Sequence, residues 1–310
     1  MSRTSQSLRA LLAEGRTVVK PGAYDALSAS LIERAGFRCL GLSGYAVAAS
    51  LLGKPDVGLV TMTEMVDVAR RIARAVKIPL IADADTGYGN AINAMRTTEE
   101  FISAGAAAIH IEDQVAPKRC GHFAGKEIIS TQEMVGKLRA CDHVRRELDP
   151  DFVLIARCDA RGVSGGTVDA LIERANRYLD AGADMIFPEG VADEGDLVRC
   201  AREIRGPLHF NRGGISPRLT LERLNELGIA MVSNAVGCLR ASAAALWDYL
   251  SDFQKNDVAA QVAWDEARKA EDHPTRSMHD MLGLADIHKF ELEFLPAGSE
   301  KKYEGSLGFR

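Results

Sequence analysis

Short apolar, β-branched runs alternate with longer amphipathic stretches along this 310-residue chain. The runs are Val18-Val19, Cys39-Leu40-Gly41-Leu42, Leu80-Ile81-Ala82, Ala108-Ile109-His110-Ile111, Val153-Leu154-Ile155-Ala156, Met185-Ile186-Phe187, Leu208-His209-Phe210 and Met231-Val232. Runs this short and continuous predict strands buried on both faces, and the stretches between them predict helices. Strand and helix alternating through eight units predict a parallel sheet closed into a (β/α)8 TIM barrel; an open, doubly wound sheet is the alternative.

Local signals punctuate the same pattern. Thr61 with Glu64, Thr97 with Glu100 and Ser130 with Glu133 each pair a hydroxyl with a carboxylate three residues on, the spacing of a capping box that opens a helix. Gly36, Gly105, Gly182 and Gly228 each end a helical stretch just before a strand, where glycine suits the left-handed residue that closes a helix. No Pro-, Gly- or Ser-rich linker interrupts residues 1–250. Beyond Leu250 the chain turns to polar helical sequence, then Met281-Leu282-Gly283-Leu284 and a charged tail, which predicts a helical extension over 251–310 of the same domain.

Composition narrows the class. The chain is 46% hydrophobic and 26% charged, enough for a large core, and its net charge of -5 provides no basic field for nucleic acid or anionic lipid. No apolar run resembles a signal peptide or reaches membrane-spanning length, and the six cysteines, at 39, 120, 141, 158, 200 and 238, lack metal-finger spacing. The expectation is a cytoplasmic protein with reduced thiols.

Polar residues fall on one rim of the predicted barrel. Ser43-Gly44-Tyr45, Asp83-Ala84-Asp85, Glu112-Asp113, Arg157, Glu189 and Asn211-Arg212 all follow the C-terminal ends of strands, where barrel enzymes place their sites. Asp83, Asp85 and Glu112 offer hard oxygen donors suited to Mg2+ or Mn2+; the alternative is that they cap helices or pair with Arg157. Arg157 can hold a carboxylate by a two-pronged contact, and Ser43 with the Gly44 amide can hold another. Lys118-Arg119-Cys120-Gly121-His122 places a thiol among cations, which favours its thiolate and suits proton exchange near neutral pH. Gly87-Tyr88-Gly89 reads as a turn, Gly165-Gly166 as a loop before a helix, and His110 and His209 as core histidines.

Taken in order, Ser43-Gly44-Tyr45, the Asp56 loop, Asp83-Ala-Asp85-Thr-Gly-Tyr-Gly89, Ile111-Glu112-Asp113-Gln114, Lys118-Arg-Cys-Gly-His122, Ala156-Arg157-Cys-Asp159-Ala160, Phe187-Pro-Glu189 and Asn211 resemble the motifs of the isocitrate lyase / phosphoenolpyruvate mutase superfamily over roughly residues 10 to 290. The resemblance implies a barrel whose terminal helix is swapped between paired subunits of a homotetramer, a Mg2+ cofactor, and 2-oxo acid chemistry through an enolate. It implies that Asp56 joins Asp83, Asp85 and Glu112 as metal-site carboxylates, some acting through water. Ser43, Gly44, Tyr45, Asn211, Gly121, His122 and Arg157 become the expected substrate shell. Cys120, Arg157, Tyr45, His122, Lys118 and Glu189 become the expected catalytic set, with the loop from about Pro117 to Lys126 closing over substrate.

The C–C lyases of that superfamily carry Lys-(Lys/Arg)-Cys-Gly-His, as here, where its phosphonate mutases have an Asn-Ser type segment without the cysteine. The chain therefore resembles a lyase. Two departures stand out: Arg157-Cys158-Asp159 where Arg-Thr-Asp is commoner, and Arg212-Gly-Gly-Ile-Ser216 where methylisocitrate lyases have a Thr-Glu pattern. The second favours a smaller or alkyl-substituted malate over a tricarboxylate. The expected reaction is cleavage of a 2-hydroxy dicarboxylate, such as 2,3-dimethylmalate, into pyruvate or glyoxylate and a carboxylic acid. Tyr45 is the expected base and Cys120 the expected proton donor to carbon. Oxaloacetate hydrolysis or decarboxylation and methylisocitrate cleavage are the alternatives, and a non-catalytic binding protein on the same barrel is the rival from another class.

Overall fold

A computed structural model describes residues 3–121, 123–267, 269, 275, 277–303 and 307. All eight expected strands are present: β1 Val18–Ala23, β2 Leu40–Leu42, β3 Leu80–Asp83, β4 Ala108–Glu112, β5 Val153–Cys158, β6 Met185–Pro188, β7 His209–Asn211 and β8 Met231–Asn234. They pair in parallel in the order β6-β5-β4-β3-β2-β1-β8-β7, and a parallel bridge between Ile186 and Leu208 joins the two ends. The sheet is a barrel rather than an open, doubly wound sheet. Several polar residues placed after the strands by sequence are themselves rungs of the ladder. Asp83 stands beside His110 and Glu112 beside Arg157. Backbone pairing, not a loose loop, therefore holds those side chains at the mouth.

Among the described residues nine α-helices precede β8: α1 Arg3–Leu12, α2 Ala26–Arg34, a short α3 Gly44–Val47 that continues into a π-helical turn, α4 Met62–Ala75, α5 Ala91–Ala104, α6 Thr131–Leu148, α7 Val168–Asp180, α8 Glu194–Glu203 and α9 Leu221–Glu226. Capping boxes open α4 at Thr61 and α6 at Ser130 as expected. Thr97 does not open a helix. α5 starts six residues earlier, where the Asn90 side chain accepts from the amides of Ile92 and Asn93, and Thr97 is buried inside α5. Asparagine caps as well as threonine does, and the interior Thr97 hydroxyl is satisfied by donating to the carbonyls of Asn93 and Gly87, each at 3.0 Å. The four helix-closing glycines all lie in the left-handed region, with φ of 87° at Gly36, 94° at Gly105, 109° at Gly182 and 69° at Gly228.

Two apolar layers hold the barrel. Outside the strands, α2, α4, α5, α6 and α7 bury Ile72, Phe101, Leu138 and Leu171 against outward-facing strand residues such as Leu42 and Leu154. Inside, Val18, Ile81, Val153, Ile155, Met185 and Met231 fill the lower half, and Leu8 and Leu11 of α1 close the bottom. Polar contacts fasten this plug: Ser5 Oγ donates to Asp149 Oδ2 at 2.7 Å, and Arg9 donates to the carbonyls of Asp151 and Phe152 at 2.7 and 3.1 Å.

A second compact unit begins at Ala243, inside α10 Gly237–Asn256, and continues through α11 Val258–Ala267, α12 Met278–Met281 and α13 Leu284–Phe294. Within it Tyr249 stacks on Phe253 and meets Trp264 edge-on, with ring centres 5.8 and 5.2 Å apart. Trp247, by contrast, is 72% exposed. Among the described residues no helix is long and apolar enough to cross a membrane.

Leu8 is fully buried at the base of the barrel. Leu8→Ala is expected to lower the unfolding free energy by about 2–5 kcal/mol, read as a lower urea midpoint at unchanged slope. A loss below about 1 kcal/mol would show that the α1 plug lies outside the cooperative core.

Candidate active site

The C-terminal mouth encloses a cavity of about 430 Å3 to which every strand contributes, either from the strand or from the residue just past it: Lys20, Ser43, Asp83, His110, Arg157, Glu189, Asn211 and Ser233. Tyr45, Asp56, Cys120 and Gly121 complete its polar wall. Of the expected site residues, Gly44, Asp85, Glu112 and Lys118 stand behind this wall. His122 lies outside the described residues.

The carboxylates meet at the ends of β3 and β4. Asp83 Oδ1 and Oδ2 accept the amides of Asp85 and Gly44, each at 3.1 Å. The Gly44 N–H that sequence assigned to a substrate carboxylate is thus engaged by Asp83. Simple strand alternation does not aim Asp85: it sits at φ 46°, and this left-handed turn brings its carboxylate round toward Asp83. Lys118 Nζ lies between Asp56 Oδ2 at 2.8 Å and Asp85 Oδ1 at 2.9 Å, hydrogen-bonding the first and only pairing in charge with the second.

Burial drives these acids apart in strength. Burial opposes ionisation of Asp83, yet His110, Lys118, Arg157 and the Asp85 amide together hold its carboxyl at about 2. Burial pushes His110 itself down to about 3, so at neutral pH it faces Asp83 as a neutral ring and the acting charges are Lys118 and Arg157. Burial raises Asp85 to about 6, reinforced by Asp83 and Asp56 against the pull of Lys118. Glu112 is raised well above the usual carboxylate range by burial, against the opposing charge of Arg157 and Lys118. Asp85 Oδ1, Glu112 Oε1 and Glu189 Oε1 are buried without a hydrogen bond.

Unsatisfied hard oxygen donors under a deficit of positive charge fit a divalent cation that retains its own water, as Mg2+ does. Among the described residues no three carboxylate, imidazole or thiolate groups converge as a closed cage.

Arg157 is held rather than free. Its two-pronged contact is with Asp159, Nε to Oδ2 at 2.9 Å and Nη2 to Oδ1 at 3.1 Å. Glu112 lies 3.2 Å and Glu189 3.8 Å from the guanidinium, which sits over the Phe187 ring. Asp159 also accepts from Lys126 Nζ at 3.0 Å and Gln114 Nε2 at 3.1 Å, and its amide donates to Asp113 Oδ1 at 2.8 Å.

The same network folds the 117–126 loop down. Gln114 grips Arg119 by both backbone groups at 2.9 Å, Lys126 donates to the Gly121 carbonyl at 2.7 Å, and the Cys120 amide donates to the Asp56 carbonyl at 3.1 Å. Gly121 rests against Arg157 and Glu189, where an added Cβ would come within 2.6 Å of both. Glycine here lets the loop fold down on the cavity, with Cys120 in its wall.

Sequence reasoning did not single out Lys126, Tyr88 or Lys20. The Arg157-x-Asp159 spacing was a usable signal for the Arg157 clamp, because residues two apart in a strand face the same side. Tyr88, read as a turn residue, does adopt the left-handed turn at φ 57°, and its hydroxyl is also buried without a partner. Burial and the nearby charges of Asp85, Asp83, Glu112 and Asp56 keep that hydroxyl protonated.

Fold, rim and loop together define a barrel enzyme built to hold small anions over a carboxylate cluster, and comparison with known proteins agrees. A family model described as phosphoenolpyruvate phosphomutase matches residues 8–253. The chain is 41% identical over 290 residues to the 2,3-dimethylmalate lyase of Eubacterium barkeri, covering 93% of this chain and 97% of that one. A crystal structure of 2,3-dimethylmalate lyase superposes with a TM-score of 0.86 at 32% identity, over 100% of both chains. An oxaloacetate acetylhydrolase bound to the inhibitor 3,3-difluorooxalacetate superposes with a TM-score of 0.85 at 34% identity, over 94% of this chain and 96% of that one. The chain belongs to the phosphoenolpyruvate mutase / isocitrate lyase superfamily.

Lys126→Met removes the bond to the Gly121 carbonyl and one of the cations on Asp159. A charge-assisted hydrogen bond is worth about 1.5–3 kcal/mol, so tryptic cleavage after exposed Arg119 is expected to speed up roughly tenfold or more. An unchanged cleavage rate at that bond would show that Lys126 does not hold the loop.

Proposed function

We propose that the protein is a Mg2+-dependent carbon–carbon lyase that cleaves a 2-hydroxy dicarboxylate of the alkylmalate type, such as 2,3-dimethylmalate, into a 2-oxo acid and a carboxylic acid. The observation that carries this reading is the position of Cys120, lining the cavity on a folded-down loop whose next residue, Gly121, rests against Arg157 and Glu189. Phe123 and Phe187 give the cavity apolar walls suited to alkyl substituents.

Asp83, Asp85, Glu112 and Asp56 would hold Mg2+, some of them through water, and the ion when bound supplies Lewis-acid polarisation of the substrate's C2 oxygen and adjoining carboxylate. The remaining work falls to side chains. Tyr45, acting as its phenolate, accepts the C2 hydroxyl proton as the C2–C3 bond breaks and C2 becomes the oxo carbon. Arg157, fixed in orientation by Asp159, stabilises the enolate-like carboxylate left on the departing fragment. Cys120 Sγ then donates a proton to C3, giving the free carboxylic acid. Lys118, Arg119 and His122 tune that thiol, Glu189 borders it, and Asn211 with Ser43 and Gly121 positions the substrate, while Gly44, its amide given to Asp83, acts through that carboxylate. The closed loop keeps water from the enolate.

The same reading takes the protein as cytoplasmic and as a homotetramer of helix-swapped dimers, without nucleic-acid or membrane partners. Trp247, Leu250, Phe290 and Phe294, exposed on the helices after Ser242 in a single chain, support subunit association.

Purified enzyme assayed with 2,3-dimethylmalate, citramalate, methylisocitrate and oxaloacetate is expected to release pyruvate and propionate from the first. Cys120→Ser should retain binding and lose about 100- to 10,000-fold in turnover. Near-normal cleavage by that variant would refute the role of Cys120, and acetate with oxalate as the dominant products from oxaloacetate would identify a hydrolase instead.

The raised carboxyl of Asp85 sets a pH dependence. Its folded value, about 6, exceeds the ordinary 3.8, so in the metal-free protein its contribution to stability is present below about pH 4 and lost as pH rises through 6. Mg2+ competes with that proton. The gain in unfolding temperature on adding Mg2+ should therefore grow between pH 5 and pH 7, and Asp85→Asn should flatten the trend. A gain independent of pH would exclude Asp85 from the metal site.

A further inference from the structure

The cavity floor holds a cation that neither the ion-pair network nor the proposed chemistry uses. Lys20, on β1, is 4% exposed and lines the cavity. Its side chain crosses the inner face of β2 at Gly41, where an added Cβ would stand 3.0 Å from Cε and 3.1 Å from Nζ. Gly41 is thus the space through which Lys20 reaches the cavity. Among the described residues no hydrogen bond or ion pair reaches its ammonium. Lys118 and Arg157, by contrast, each pair with two or more carboxylates.

The surroundings do not neutralise Lys20 in another way. Burial pulls it down to about 8, with Cys39 and Asp83 opposing, so at neutral pH most of the population is charged. His110 and His209 at this level are kept neutral by burial, and Ile81, Ile155 and Met231 beneath them are apolar. Asp83 is the ionised carboxylate that acts on it, yet no hydrogen bond or ion pair joins the two, and a buried ammonium without such a partner is unfavourable to folding. Its place at a cavity floor points to an anion that arrives from outside. Ser43, two residues past Gly41 and just beyond the end of β2, lines the same cavity as Lys20.

We propose that Lys20 is a substrate-binding residue whose ammonium takes, from the cavity floor, the carboxylate of the 2-oxo acid unit seated on Ser43. The identity of that carboxylate rests on the lyase reading. Lys20 and Ser43 then grip it from below and from the side, and Lys20 gains on binding the counter-ion that the fold withholds.

The test is calorimetric titration of oxalate, a planar dianion with the shape of a 2-oxo acid enolate, at saturating Mg2+, together with thermal unfolding of the ligand-free protein. Lys20→Met should weaken oxalate roughly tenfold or more, the scale of a charge-assisted hydrogen bond, while the unfolding temperature stays the same or rises. Where Lys20→Met does not fold, Lys20→Gln carries the same expectation. A smaller loss of oxalate affinity overturns the role of Lys20 and leaves the lyase reading standing. A wild-type protein that does not bind oxalate overturns the lyase reading, and this inference with it. A lysine with only a packing role would move the unfolding temperature and leave oxalate binding unchanged.

Discussion

Asp159 is the charge on which the mouth of this barrel depends. Buried at the end of β5, it accepts from Arg157, Lys126 and Gln114 together. One carboxylate thereby orients the guanidinium that faces substrate and fastens the loop that carries Cys120. Its backbone amide is held in turn by Asp113, which also accepts from Tyr178 and Arg174 of α7. The network reaches from the helical shell to the reacting centre without an exposed link. Breaking a buried pair leaves an uncompensated charge, so such a network is rigid as a whole.

Around that hub, positive and negative charge are out of balance in a way that makes the site a receptor. Carboxylates crowd the β3 and β4 ends, two of them with buried oxygens that have no hydrogen bond, and Lys118 alone reaches between Asp56 and Asp85. On the floor the imbalance has the opposite sign, where Lys20 lies against Gly41 and, among the described residues, has no hydrogen bond or ion pair. A site with an unmet need for a cation on one side and for an anion on the other is matched by a divalent metal and a carboxylate substrate together. Neither need is met by the fold itself.

Much of this was legible along the chain, for local reasons. Continuous apolar runs marked all eight strands because a parallel barrel strand is buried on both faces. Gly36, Gly105, Gly182 and Gly228 marked helix ends because only the residue's own backbone angle was at issue. Thr97 misled because its spacing to Glu100 matches a capping box, while the deciding interactions, with Gly87 and with the carbonyl one turn back, belong to the folded helix. Asp83, Asp85 and Glu112 were visible as donors. That Asp85 turns in through a left-handed residue, and that Gly44 gives its amide to Asp83, depends on a crossing between β2 and β3 that spacing does not record.

By itself the sequence determined the barrel, the rim on which its polar residues stand, and the motif order that marks its superfamily, since each is written in local pattern or in identity of residues. Tertiary structure alone decided which charges meet. Arg157 gives its two-pronged contact to Asp159 and is thereby fixed at the cavity wall; Lys118 could have stayed in solvent and instead bridges two acids; Lys20 sits in an unremarkable strand segment and is, among the described residues, a floor cation that no hydrogen bond or ion pair reaches. Charge pairing is settled by distance and burial between strands far apart in the chain, and those are properties of the closed barrel.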